Sequence, residues 1–198
     1  MPCYNHRNMR DFTGGLFTTG GVMPQSWKRI LIKVLAVQVV FLFLHYAYDW
    51  FPNAVTTLFS GTDESTYQHM KIAFFSSLLV SLGEGLLLRG RLAQPARFIF
   101  PRLFTAVLLP FLVMVFFYTG PAYFGRFTNL AVEIVVANLA LLAASSVSFI
   151  IERALESAES SPGLRWAIVL LFVVMLSELV IFTYRLPWAD VFANPPGW

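Results

Sequence analysis

Residues 30–48 read ILIKVLAVQVVFLFLHYAY, an apolar run interrupted only by Lys33, Gln38 and His45 at its polar positions. A helix rises about 1.5 Å per residue, so roughly 20 apolar residues cross a hydrocarbon core of about 30 Å. This run is long enough to do so. It starts too late and runs too long for a cleaved signal peptide, and is read as a permanent span. Four further stretches, 72–88, 98–118, 130–151 and 166–184, have similar length and apolarity. The fold expected is an all-α integral membrane bundle of five transmembrane helices.

Composition agrees with the pattern. The 198-residue chain is 57% hydrophobic and 13% charged, with a mean hydropathy of +0.66, outside the range of ordinary soluble domains. One cysteine, Cys3, excludes an intramolecular disulfide and a cysteine-based metal or redox site. The domain reading is a polar cytoplasmic tail at 1–27, a five-helix transmembrane domain at 28–185 and a short extracytoplasmic tail at 186–198.

The formal net charge of +3 does not point to nucleic acid, because the basic residues sort by side. With the N-terminus cytoplasmic, Arg7, Arg10, Lys28, Arg29, Lys33, Arg89, Arg91, Arg97, Arg102, Arg153 and Arg165 lie inside, eleven of 14. Lys71, Arg126 and Arg185 lie outside. The positive-inside rule therefore predicts N-in and C-out topology, in the cell's inner membrane, with Trp50, Trp188 and Trp198 at the outer interface. Ser77, Ser81 and Gly85 in the second span, and Ala140, Ala144 and Ser148 in the fourth, form small-residue stripes that let helices approach closely. Pro110 is expected to kink the third span. Gln38 and Asn138, near mid-span, are read as interhelical hydrogen-bonding partners, and the acids of 152–165 as solvated loop residues.

Polar side chains gather at one predicted depth, in the outer half. His45 and Asp49 lie four residues apart on one helix face. Glu64, His69 and Lys71 come from the longest outer connection, 50–70, and the entry of the second span. Glu133 and Glu178 come from the fourth and fifth. Charges within a bilayer are costly enough that they usually sit in a protein interior and serve a function. Imidazole and carboxylate together make either a metal centre for an ion such as Zn²⁺ or a proton-relay pocket. The candidate metal ligands are His45, Asp49, Glu64 and His69. Glu133 and Glu178 are the candidate catalytic bases, with His45, His69 or Lys71 as their expected ion-pair partners. Asp63 is read as the N-cap of the second span, and Glu84 as an inner-half carboxylate near Arg89 and Arg91. No H-E-x-x-H pattern, phosphate loop or nucleophile elbow is present to specify a reaction.

The segments HYAYDW at 45–50 and LFSGTDESTYQHMK at 58–71 resemble a family of small polytopic bacterial and archaeal membrane proteins designated only as a domain of unknown function. Its loop motif has the form Asn-Glu-Ser-x-x-Glu-His-x-Lys. Glu64, Ser65, His69 and Lys71 match that motif, whereas Asp63 stands for the Asn and Gln68 for the second Glu. The resemblance implies a multi-pass membrane fold and no particular activity. Two functions are expected from the whole reading. One is a buried His/carboxylate site, metal-binding or proton-coupled, serving small-ion transport or hydrolysis of a lipid-like substrate. The other is an accessory or scaffold subunit among other membrane protein subunits. Both have the lipid bilayer as a partner, and neither involves nucleic acid.

Overall fold

A computed structural model describes residues 26–90, 94–125 and 129–194. The N-terminal tail to residue 25, with Cys3, and Arg91, Arg126, Pro195, Pro196 and Trp198 lie outside the described residues. The elements are α1 (Trp27–Trp50), α2 (Ala54–Phe59), α3 (Thr66–Leu88), α4 (Pro95–Phe124), α5 (Leu130–Ser157), α6 (Pro162–Tyr184) and a closing 3₁₀ turn (Asp190–Phe192). Five of them, α1, α3, α4, α5 and α6, are long and apolar enough to cross a membrane, as the hydropathy pattern predicts. Their starts follow local chemistry. The side chains of Ser26, Ser65, Asn129 and Ser161 accept backbone N–H bonds at the first turns of α1, α3, α5 and α6, and Pro95 and Pro162 occupy first-turn positions that need no donor. α4 runs without a break through Pro101, Pro110 and Pro121.

The short helix α2 is not visible in the hydropathy pattern. A capping box creates it. Asn53 Oδ1 accepts from the amides of Val55 and Thr56 at 2.9 and 3.2 Å, and Thr56 Oγ1 accepts from the Asn53 amide at 3.0 Å. Lys71 then ties α3 to it. Its ammonium donates to the Thr57 carbonyl at 2.9 Å, and the side chain is fully buried.

α1 packs against α3 and α5, and α4 against the same two helices, which closes a ring of four around a core that includes Val37, Phe74, Leu109, Val113 and Phe149. The small-residue stripes lie in these seams: Ser77, Ser81, Ala144 and Ser148 are buried, and a Cβ at Gly85 would stand 3.2 Å from the Phe98 ring. Gln38 donates to the side-chain oxygen of Asn138, joining α1 to α5 at mid-span. α6 lies outside the ring against α4. It also accepts a 2.7 Å hydrogen bond from the Tyr67 hydroxyl at the Leu179 carbonyl.

At the end of the ring formed by the start of α1 and the end of α3, six charged side chains make a closed network. Glu84 of α3 receives Arg29 Nε at 2.7 Å, Lys33 Nζ at 3.1 Å and Arg102 NH2 at 2.7 Å. Lys33 also pairs with Glu152, and Arg102 with Glu156 at 2.7 Å. Arg102 covers the Phe98 ring at 3.5 Å as well. Three cations and three carboxylates from α1, α3, α4 and α5 thus cancel. This corrects two expectations. Glu152 and Glu156 are not solvated loop acids, because α5 continues to Ser157 and buries both. Glu84 is held by Arg29, Lys33 and Arg102, while Arg89 is exposed.

Deleting one member of such a set leaves uncompensated buried charge, at a cost of about 3–5 kcal/mol. Glu84→Ala is therefore expected to lower the stability of the detergent-solubilised protein by about that amount, read as a large drop in the thermal or SDS unfolding midpoint. An unchanged midpoint would mean that the network does not hold the ring together.

Candidate metal centre

The opposite end of the ring carries the clustered histidines. The chain leaves α2 at Ser60 and passes Gly61, where a Cβ would stand 3.0 Å from Ile72 Cδ1 and 3.8 Å from His45 Nδ1. A side chain here would press on Ile72 while merely touching His45, so glycine lets the loop lie close against α3. Ser65, not Asp63, caps α3, accepting from the Gln68 amide at 3.4 Å. Asp63 sits two residues earlier. Its carboxylate accepts from the Ser65 amide at 2.9 Å and from Gln68 Nε2 at 3.2 Å. This arrangement puts Glu64 just ahead of the helix, with its side chain turned toward the two rings.

One oxygen of Glu64 stands 3.5 Å from His45 Nε2, and the other 3.6 Å from His69 Nε2. The ring centroids of His45 and His69 are 5.3 Å apart. One ligand atom from each of His45, Glu64 and His69 falls within 4.8 Å of the others. His69 Nδ1 lies 2.9 Å from the Ser65 carbonyl. A carbonyl only accepts, so Nδ1 carries the proton in the neutral ring and Nε2 keeps its lone pair for the side of Glu64. Metal-bound histidines are oriented in the same way by a backbone carbonyl behind them.

Aromatic rings wall the group. Phe41 stacks on His45 at 6.3 Å, Tyr46 meets His45 edge-on at 4.9 Å, and Phe117 lies 4.9 Å from His69. The side chains of His45 and His69 are 17% and 11% exposed and that of Glu64 is 35% exposed, so solvent reaches the group on the glutamate side. Two imidazoles and one carboxylate suit Zn²⁺ and related first-row divalent ions, and leave a fourth position for water or another donor.

The other candidates lie elsewhere. Asp49 is exposed on the last turn of α1 and makes no hydrogen bond with His45. Glu133 is half-buried in the first turn of α5, and Glu178 is exposed on α6. Among the described residues neither forms an ion pair, so the expected pairings with His45, His69 or Lys71 are not made.

The sequence reading missed two contributions to this end. The Glu64 amide donates to Asn194 Oδ1 at 3.0 Å, and Phe192 packs on Tyr67 at 4.7 Å. The segment after α6 thus returns to brace the loop that carries Glu64. Contacts spanning 130 residues leave no local signal, although the aromatic and amide residues after Pro187 hint at a packed tail.

Comparison with models of known protein families, with curated proteins and with solved structures finds no match for this chain.

Because the loop packs so closely at Gly61, Gly61→Val should destabilise the protein by about 1–3 kcal/mol, the usual range for overpacking. A denaturation midpoint equal to that of the wild type would contradict this close packing.

Proposed function

We propose that this chain is a multi-pass membrane protein that binds a divalent transition metal, Zn²⁺ above all, at His45, Glu64 and His69. The observation that carries the reading is the convergence of these three ligand atoms within 4.8 Å, with His69 turned by the Ser65 carbonyl. The loop resemblance gives further support, since Glu64 and His69 are two of its matched positions. The concentration of arginine and lysine at the opposite end supports an N-in orientation in the inner cell membrane, with the metal site on the extracytoplasmic side.

Of the activities such a site serves, handling of the metal ion itself is favoured over hydrolysis. A hydrolytic reaction needs a base beside the bound water. Glu133 and Glu178 do not join the group, which leaves the site as a binding and transfer station for the ion. The alternative, an accessory subunit in which charges only fix helix packing, draws support from the six-charge network at the other end.

Elemental analysis of the purified protein separates the two. Wild type is expected to carry about one zinc per chain, and His45→Ala with His69→Ala is expected to lose it. Loss of an outer hydrogen-bonding partner alone weakens metal sites about 10–100-fold, and loss of two ligands should exceed that. Absence of metal from zinc-supplemented wild type would overturn the metal reading and favour the accessory role.

A further inference from the structure

At the end of the bundle that carries the charge network, two arginines stand apart from that network. Arg97 lies near the start of α4 and Arg165 near the start of α6. Both are partly buried, and with Gln94, Glu159 and Ser160 they line one hollow of about 450 Å³. Arg165 Nε donates to Ser160 Oγ at 2.9 Å, and its guanidinium rests 5.5 Å from the centre of the Phe100 ring. These contacts hold it back from the extended, snorkelling pose common to cations at span ends. Arg97 Nη2 is 3.9 Å from Glu159 Oε1, and the glutamate side chain is 94% exposed, so that pair is weak. Among the described residues Arg165 forms no ion pair. Two cations against one exposed carboxylate leave the hollow with an uncompensated positive charge.

The hollow adjoins an apolar surface. A narrow crevice between α4, α5 and α6 shares Arg97, Glu159 and Ser160 with it and is walled by Phe100, Pro101, Leu155, Leu164 and Ile168. Phe100 and Ile168 each follow their arginine by three residues, about 4.5 Å further into the span. Charge at the mouth with hydrocarbon surface behind it is the order of headgroup and acyl chain in a lipid. A guanidinium takes a phosphate through paired N–H donors, and basic pockets between membrane helices recognise acidic headgroups.

We propose that this hollow binds one anionic phospholipid, its phosphatidylglycerol-type headgroup held by Arg97 and Arg165 and an acyl chain laid along the crevice at Phe100, Leu155 and Ile168. The phosphate supplies the negative charge that the hollow lacks. The lipid bridges α4 and α6, the helix outside the ring. The inference is independent of the metal reading.

Native mass spectrometry of the full chain, released from nanodiscs of equal phosphatidylglycerol and phosphatidylcholine, tests it. Wild type should retain one phosphatidylglycerol, with about a tenfold preference over phosphatidylcholine. Arg97→Gln and Arg165→Gln should each lower that retention about tenfold. Arg165→Lys, which keeps the charge and loses the fork, should lower it by less. Arg89→Gln removes the same charge from an exposed position at the same end and should leave retention unchanged. Helicity matching wild type by circular dichroism separates loss of lipid from misfolding, and millimolar glycerol phosphate should not displace the lipid. Equal retention of the two lipids, retention indifferent to both Arg97→Gln and Arg165→Gln, or an Arg89→Gln loss as large as theirs would overturn the inference. So would displacement by glycerol phosphate, which would mark a site for a soluble phosphate ester.

Discussion

Glu84 sits at the centre of the interaction on which the rest of this bundle depends. Its carboxylate receives Arg29 and Lys33 from α1 and Arg102 from α4, and those cations are balanced in turn by Glu152 and Glu156 of α5. A charged set buried in a membrane protein is not an efficient source of stability, because desolvation offsets most of its Coulomb energy. Its consequence is specificity. A slip of any one of the four helices by a turn, or a rotation of one about its axis, would leave a buried charge without its partner, whereas the apolar seams alone would tolerate such errors far better.

That constraint reaches the other end of the bundle through helix geometry. His45 follows Lys33 by twelve residues on α1, and His69 precedes Glu84 by fifteen on α3, distances of about 18 and 22 Å along rigid helices. Fixing α1 against α3 at Lys33 and Glu84 therefore sets how His45 meets His69, and a one-turn slip of about 5 Å would separate rings whose centroids are now 5.3 Å apart. The loop completes the arrangement. Gly61 admits it, Asp63 and Ser65 start α3 two residues after Glu64, and Asn194 with Phe192 holds it from the far end of the chain.

Much of this was legible in the sequence, and the exceptions have physical causes. The five spans were readable because crossing a bilayer demands long apolar runs, and His45 and His69 stood out because ionisable groups are rare there, with Glu64 in the connection between them. The Gln38–Asn138 pair was likewise visible as two amides near mid-span. The six-charge network was not. Arginines near a span end read equally well as topology signals, and Glu152 and Glu156 read as solvated because the end of an apolar run does not reveal that the helix continues two more turns into a buried interface. The spacing of Glu152 and Glu156, four residues apart, was the signal that could have revealed a buried face. Asp63 looked like a cap because Asp, Ser and Thr all cap helices well, and only the backbone decides which of several neighbours takes the position. Glu133 and Glu178 shared the predicted depth of the histidines, but depth does not specify which way a side chain faces around its helix.

X-ray absorption at the zinc edge of the loaded, detergent-purified protein decides whether His45, Glu64 and His69 are metal ligands. The predicted spectrum shows two imidazole ligands with Zn–N near 2.0–2.1 Å and carboxylate oxygen at about 2.0–2.2 Å, with the imidazole scattering lost when both histidines are replaced. An all-oxygen shell without imidazole scattering, unchanged by that replacement, would contradict it.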